Sequence, residues 1–105
     1  MLQLSFVNFR KDSYIFVEGK NDSDKFYIIK TGNVKCFKMN DPNNISTKTL
    51  GPGDFVGVIP CMSGHSQIEN VVALTDVSCI SVRKDQYSEL IENGMTGAED
   101  TIRFS

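Results

Sequence analysis

The feature that most constrains this chain is the cadence with which short β-type runs alternate with clusters of turn residues. Ser13–Glu18 (SYIFVE) is aromatic and β-branched and ends at Gly19, with the polar turn KNDSD behind it. Lys25–Lys30 (KFYIIK) comes next, Thr31-Gly32-Asn33 breaks it, and Val34–Met39 (VKCFKM) resumes. Asn40–Asn44 (NDPNN) reads as an exposed tip and Ile45–Leu50 as a short strand beyond it. Ile68–Leu74 and Val77–Val82 complete the series on either side of Thr75-Asp76, while Leu2–Phe9 is a loosely alternating first strand. Such runs pack as strands because branched and aromatic side chains suit a pleated, half-buried surface, and Gly, Asn, Asp and Pro supply the turns.

Strands this short at regular spacing indicate an antiparallel sandwich or barrel, and Greek-key jelly rolls are the common way to bury them. The expected fold is therefore mainly β, an antiparallel jelly-roll-like β-roll (a double-stranded β-helix). The two runs around Thr31–Asn33 read as a hairpin, with Val34, Cys36 and Lys38 facing one way and Lys35, Phe37 and Met39 the other. Helix is expected in the loop after Gly57 and again over Asp85–Asn93, where Asp85 is a sound N-cap and Tyr87, Leu90 and Ile91 share a face before Asn93-Gly94 stops it. Residues 1–94 then form the roll, and 95–105 a tail, linker or truncated lid or dimer helix.

With 105 residues the chain is one domain able to bury its own core. A net charge of −2 with dispersed lysines and arginines gives no electrostatic reason to expect nucleic-acid or membrane-surface binding. No run is long and apolar enough to span a bilayer and no signal pattern follows Met1, so a cytoplasmic site is the default. Cys36, Cys61 and Cys79 lack CxxC spacing and sit among apolar neighbours, which reads as buried thiols in a reducing compartment. His65 is the one histidine, so the multi-histidine metal site of a cupin-type enzyme cannot be built, and no local carboxylate orients it beside Ser63, Ser66 or Cys61. The expectation is no enzyme activity, no metal and no cofactor.

The stretch Leu50–Asp76 places Gly51, Gly53 and Gly57 within seven positions, then runs through Val58–Met62 with Pro60 where a first helical turn tolerates it. Asp54 can tie its side chain to nearby amides. The segment is either a tight connection between strands or a cradle in which helix-start amides meet an anion. Glu69 and Asn70 are able to take a hydroxyl donor, although a strand end accounts for them equally.

Taken together, the order of pieces resembles the cyclic-nucleotide-binding domain family, the ligand-sensing β-roll of catabolite-activator-type regulators, kinase regulatory subunits and nucleotide-gated channels. The residues that carry the resemblance are Ile15-Phe16, Glu18-Gly19, Asp24, Phe26 to Ile29, Gly32, Val34, Leu50, Gly53-Asp54-Phe55, Gly57 and Val71 to Asp76. The resemblance implies a phosphate-binding cassette after the Gly-Asp turn, in which a glutamate accepts from the ribose 2′-OH and an arginine pairs with the cyclic phosphate. This chain departs at both places: Val58 stands at the glutamate position and Gln67 at the arginine position. Each lost charge-assisted bond costs roughly 1.5–3 kcal/mol, and the pair together a factor on the order of 10² to 10⁴ in affinity.

The candidate ligand-binding residues are Gly57, Val58, Ile59, Pro60, Cys61, Ser66, Gln67 and Ile68. The resemblance implies a non-catalytic sensor for a small anionic ligand, cAMP, cGMP or a divergent one, acting as a homodimer or within a longer regulator without direct nucleic-acid contact. The alternative is a ligand-free structural or protein-interaction domain with a decayed pocket.

Overall fold

The computed structural model describes residues 5–21 and 24–87. In chain order these form β1 (Ser5–Phe9), β2 (Tyr14–Phe16), β3 (Lys25–Thr31), β4 (Val34–Phe37), β5 (Lys48–Leu50), β6 (Phe55–Val56), α1 (Val58–Ser63), β7 (Asn70–Ala73) and β8 (Val77–Arg83). The strands make two antiparallel four-stranded sheets, ordered β1-β8-β3-β6 and β2-β7-β4-β5. The expected mainly β roll is the observed architecture. Residues 84–87 are helical, and the remainder of the helix expected over Asp85–Asn93, with Leu90 and Ile91, lies outside the described residues.

The expected hairpin between the third and fourth strands does not form. β3 lies between β8 and β6 in one sheet, and β4 lies between β7 and β5 in the other. Adjacent runs pair only if the turn folds them into one plane, and Thr31–Asn33 instead carries the chain across the sandwich. Gly32, at φ +90, has the Asp76 carbonyl where a Cβ would stand. Neighbouring groups lock the crossing: the Asn33 amide donates to Thr75 Oγ1 (3.1 Å) and the Leu74 amide to the Asn33 carbonyl (2.9 Å). The β1–β2 crossing docks at the same corner, because the Lys11 amide donates to Asp76 Oδ1 (2.9 Å) and the Asp12 amide to the Ala73 carbonyl (2.7 Å).

β3 is buried on both faces, which accounts for its unbroken apolar run. Tyr27 and Ile29 enter the core between the sheets with Phe16, Val34, Cys36, Val71, Ala73 and Cys79. Phe26 and Ile28 point the other way, into a second cluster with Cys61 and Val82 that Val58, Met62 and Tyr87 cover. Fully burying an aromatic or large aliphatic side chain stabilises the fold by about 1.5–3 kcal/mol. β1 turns Val7 and Phe9 toward the core and leaves Phe6 outside, where the Lys30 ammonium lies 4.7 Å above its ring.

The strand expected from Ile45 begins only at Lys48. Residues before it are held in turns: the Asn44 amide donates to the Asp41 carbonyl (3.0 Å), the Thr47 amide to the Asn44 carbonyl (3.2 Å), and the Ser46 amide to Asp41 Oδ2 (2.6 Å). Asp41 thus competes successfully for amides that a ladder would have used. Conversely, Phe55–Val56, read as loop, pairs with Tyr27–Ile28 as β6.

Candidate functional site

The glycine-rich turn is fixed on β3 before the cassette begins. The Gly53 amide donates to the Ile29 carbonyl (2.8 Å), and the Ile29 amide to the Asp54 carbonyl (3.0 Å). The Asp54 carboxylate reaches back to the Gly51 amide (2.8 Å), as its position in the turn suggests. Gly57 then takes φ +79 and caps α1. At the far end the Gln67 backbone is clamped to the turn after β2: the Gly19 amide donates to its carbonyl (2.8 Å), and its own amide to the Lys20 carbonyl (2.9 Å).

Between this cassette and the inner face of the second sheet lies a cavity of about 430 Å³. One wall is Phe55, Val56, Gly57, Val58, Ile59 and Pro60. The other follows strand alternation: Cys36 and Lys38 from β4 and its extension, Ser46, Lys48 and Leu50 leading into and along β5, Gln67, Glu69 and Val71 leading into β7, with Ile68 at the rim. The register explains this composition, since Cys36 pairs with both Lys48 and Val71, and residues opposite one another share a face.

Of the eight residues expected to bind, Gly57, Val58, Ile59, Pro60, Gln67 and Ile68 line the cavity. Cys61 and Ser66 do not: Cys61 is buried on the opposite side of α1 against Phe26, Ile28 and Val82, and Ser66 is exposed. Val58 lines the cavity and also packs against that second cluster, as does Met62, which is not among the lining residues. Gln67 is 4% exposed although it is polar. The backbone offers less than the sequence suggests: α1 has six residues, Pro60 has no N–H, and the Cys61 amide already donates to the Gly57 carbonyl (3.2 Å). That leaves the amides of Val58 and Ile59 without an intrahelical acceptor.

The charged groups of the cavity sit on the sheet rather than the cassette. Lys48 Nζ lies 3.8 Å from Glu69 Oε1, with the lysine side chain 55% and the glutamate 19% exposed. Cys36 lies beside them: burial first, then the Glu69 carboxylate, which also accepts from the thiol, push its pKa up to about 12, against the pull of Lys48. Asn70 has a structural task, because it is buried and its Oδ1 accepts from the Glu18 amide (2.9 Å). Lys48 was legible in principle, since Lys48 and Leu50 are two apart on a strand and the leucine marks the inward face.

The fold has counterparts among known proteins. The cyclic nucleotide-binding domain family model matches residues 6–93. A cGMP-dependent protein kinase of Plasmodium berghei (strain Anka) is 30% identical over 90 residues, covering 85% of this chain and 10% of the kinase. The cAMP-bound form of the EAL enzyme Bd1971 superposes with a TM-score of 0.72 at 31% identity, covering 84% of this chain and 24% of the enzyme. A triple mutant of the regulatory subunit of a cAMP-independent protein kinase A from Trypanosoma brucei, bound to cAMP in its A site, gives 0.71 at 26% identity over 93% of this chain and 36% of that one. The chain thus spans a tenth of the curated relative and at most about a third of these two larger structures. On the matched residues and the two-sheet roll, the chain belongs to the cyclic nucleotide-binding domain family.

Proposed function

We propose that this chain is a non-catalytic regulatory domain that takes a small anionic ligand, a cyclic nucleotide or a divergent relative of one, in the cavity beside Gly57. The observation that carries the reading is the hollow itself: about 430 Å³ lies between the cassette and the sheet, with Val58 as one of its lining residues. A ligand there needs no covalent chemistry. It acts through its different affinity for two arrangements of the protein.

A route to the C-terminal segment supports this reading. Phe55 lines the cavity and stacks on Phe26 at 5.7 Å, and Phe26 meets Tyr87 edge-on at 5.9 Å. A ligand that moves Phe55 therefore displaces rings that pack residues 84–87 onto the roll. Binding is expected to be weaker than where both family charges are present, because Val58 and Gln67 are neutral. The Trypanosoma brucei relative is described as cAMP-independent, and its cAMP-bound form carries three substitutions, one of them threonine to arginine.

Calorimetric titration with cyclic AMP and cyclic GMP tests the proposal. Saturable heat is the expected result, and silence at millimolar nucleotide counts against it. The second reading, an interaction domain with a decayed pocket, draws on the apolar rim: Ile59 is 66% exposed and Ile68 is also exposed. That reading expects silence in the titration and capture of a protein partner lost on Ile59→Asp.

A further inference from the structure

The positive charge missing at position 67 has a counterpart on the sheet wall of the same cavity. Position 67 is neutral and α1 is too short to attract an anion through its dipole, yet Lys38 and Lys48 line the sheet wall that faces α1, beside a single carboxylate, Glu69. Among the described residues lining the cavity these are the charged side chains, and their balance is positive. At 3.8 Å, Lys48 and Glu69 attract one another without close hydrogen-bond contact, and the lysine is more than half exposed. Such a pair holds its members loosely, so a lysine in it exchanges partners at little cost. Its four-carbon stem and three rotatable donors let the ammonium reposition.

We propose that Lys48 is the cation that meets the ligand's anionic group, and that Glu69 competes with the ligand for it, an assignment that rests on the anionic-ligand reading above. In the free protein the carboxylate holds the ammonium at the cavity wall. An entering anion draws the ammonium away, and the carboxylate, already accepting from the Cys36 thiol, stays on the sheet. Glu69 thereby weakens binding twice: it occupies Lys48 and it repels the anion.

The two charges should act with opposite sign, which a merely structural role for the pair does not produce. In titrations of the 105-residue chain with cyclic AMP and cyclic GMP, Lys48→Gln is expected to weaken binding about tenfold, and Lys48→Arg to retain it. Glu69→Gln is expected to tighten binding about two- to fivefold. Raising the salt concentration should weaken the parent chain and leave Lys48→Gln nearly unaffected. Adenosine, which lacks the anion, should bind the parent chain and Lys48→Gln alike. Thermal melts check that each variant is folded.

Unchanged affinity and salt response in Lys48→Gln, in a chain that binds cyclic nucleotide, overturns the assignment and leaves the anionic-ligand reading standing. Weakening by both Lys48→Gln and Glu69→Gln overturns it in favour of a scaffold role for the pair. A parent chain silent to both cyclic nucleotides removes the broader reading and the assignment with it.

Discussion

Gly57 lies so close to the edge of Phe16 that a Cβ built on it would stand 2.6 Å from Cε2 and 2.8 Å from Cζ of that ring. The glycine also takes φ +79, where an L side chain meets its own backbone. Two independent constraints thus disfavour any other residue at the point where the cassette leaves the sheet. Phe16 sits in the core against Tyr27, with ring centroids 5.3 Å apart, so it cannot swing aside cheaply.

Gly57→Ala is therefore expected to destabilise the fold by about 2–5 kcal/mol, from the left-handed backbone and the overpacked ring together. Urea unfolding measures this. Adding Phe16→Leu should recover part of the loss in the double variant, and strict additivity of the two changes would show that the ring contact is not responsible.

Gln67 occupies the place where the family resemblance puts an arginine; its backbone is clamped to Gly19 and Lys20, and the residue is buried at the cavity lining. Gln67→Arg is expected to tighten cyclic AMP binding by a factor on the order of 10 to 10². Calorimetry reads the gain directly. No gain in a variant that melts like the parent would mean that the side chain at this position does not reach the anion.

The buried thiols make stability depend on alkaline pH. Burial raises Cys36 to about 12 and Cys79 to about 11 from the ordinary value of 9.0, and it raises Cys61 as well. The folded state keeps protons that the unfolded chain releases, so this contribution is complete below pH 9 and is lost as pH rises from there toward 12. Urea midpoints should fall across that range and fall less steeply in a Cys36→Ala, Cys79→Ala variant. Thiol reagents should leave all three cysteines unmodified in the native protein at neutral pH, since the thiolate is the reactive form.

Some of this protein is written locally. Strand runs such as Tyr14–Phe16 and Lys25–Thr31, the turn at Gly53-Asp54 and the short helix after Gly57 follow from side-chain shape, alternation and glycine chemistry within a few residues, and the tertiary structure leaves them in place. Because Val58 and Gln67 are single identities at fixed positions, the sequence also determined that the cassette carries no charge there.

What the tertiary structure decided is where separate segments meet. Thr31–Asn33 reads locally as a hairpin turn, but β3 pairs with β8 and β6 while β4 pairs with β7 and β5, partners that lie far along the chain, and Gly32 leaves room for the Asp76 carbonyl at the crossing. Lys48 and Glu69 are ordinary surface residues in the sequence and become neighbours because β5 and β7 both pair with β4, a register set by contacts distant in the chain. Cys61, Ser66 and Gln67 are all read from the sequence as candidate ligand contacts, yet one is buried against the second core, one is exposed to solvent and one lines the cavity. The direction a side chain takes there depends on the packing of α1 against Phe26 and Ile28, which no local pattern encodes.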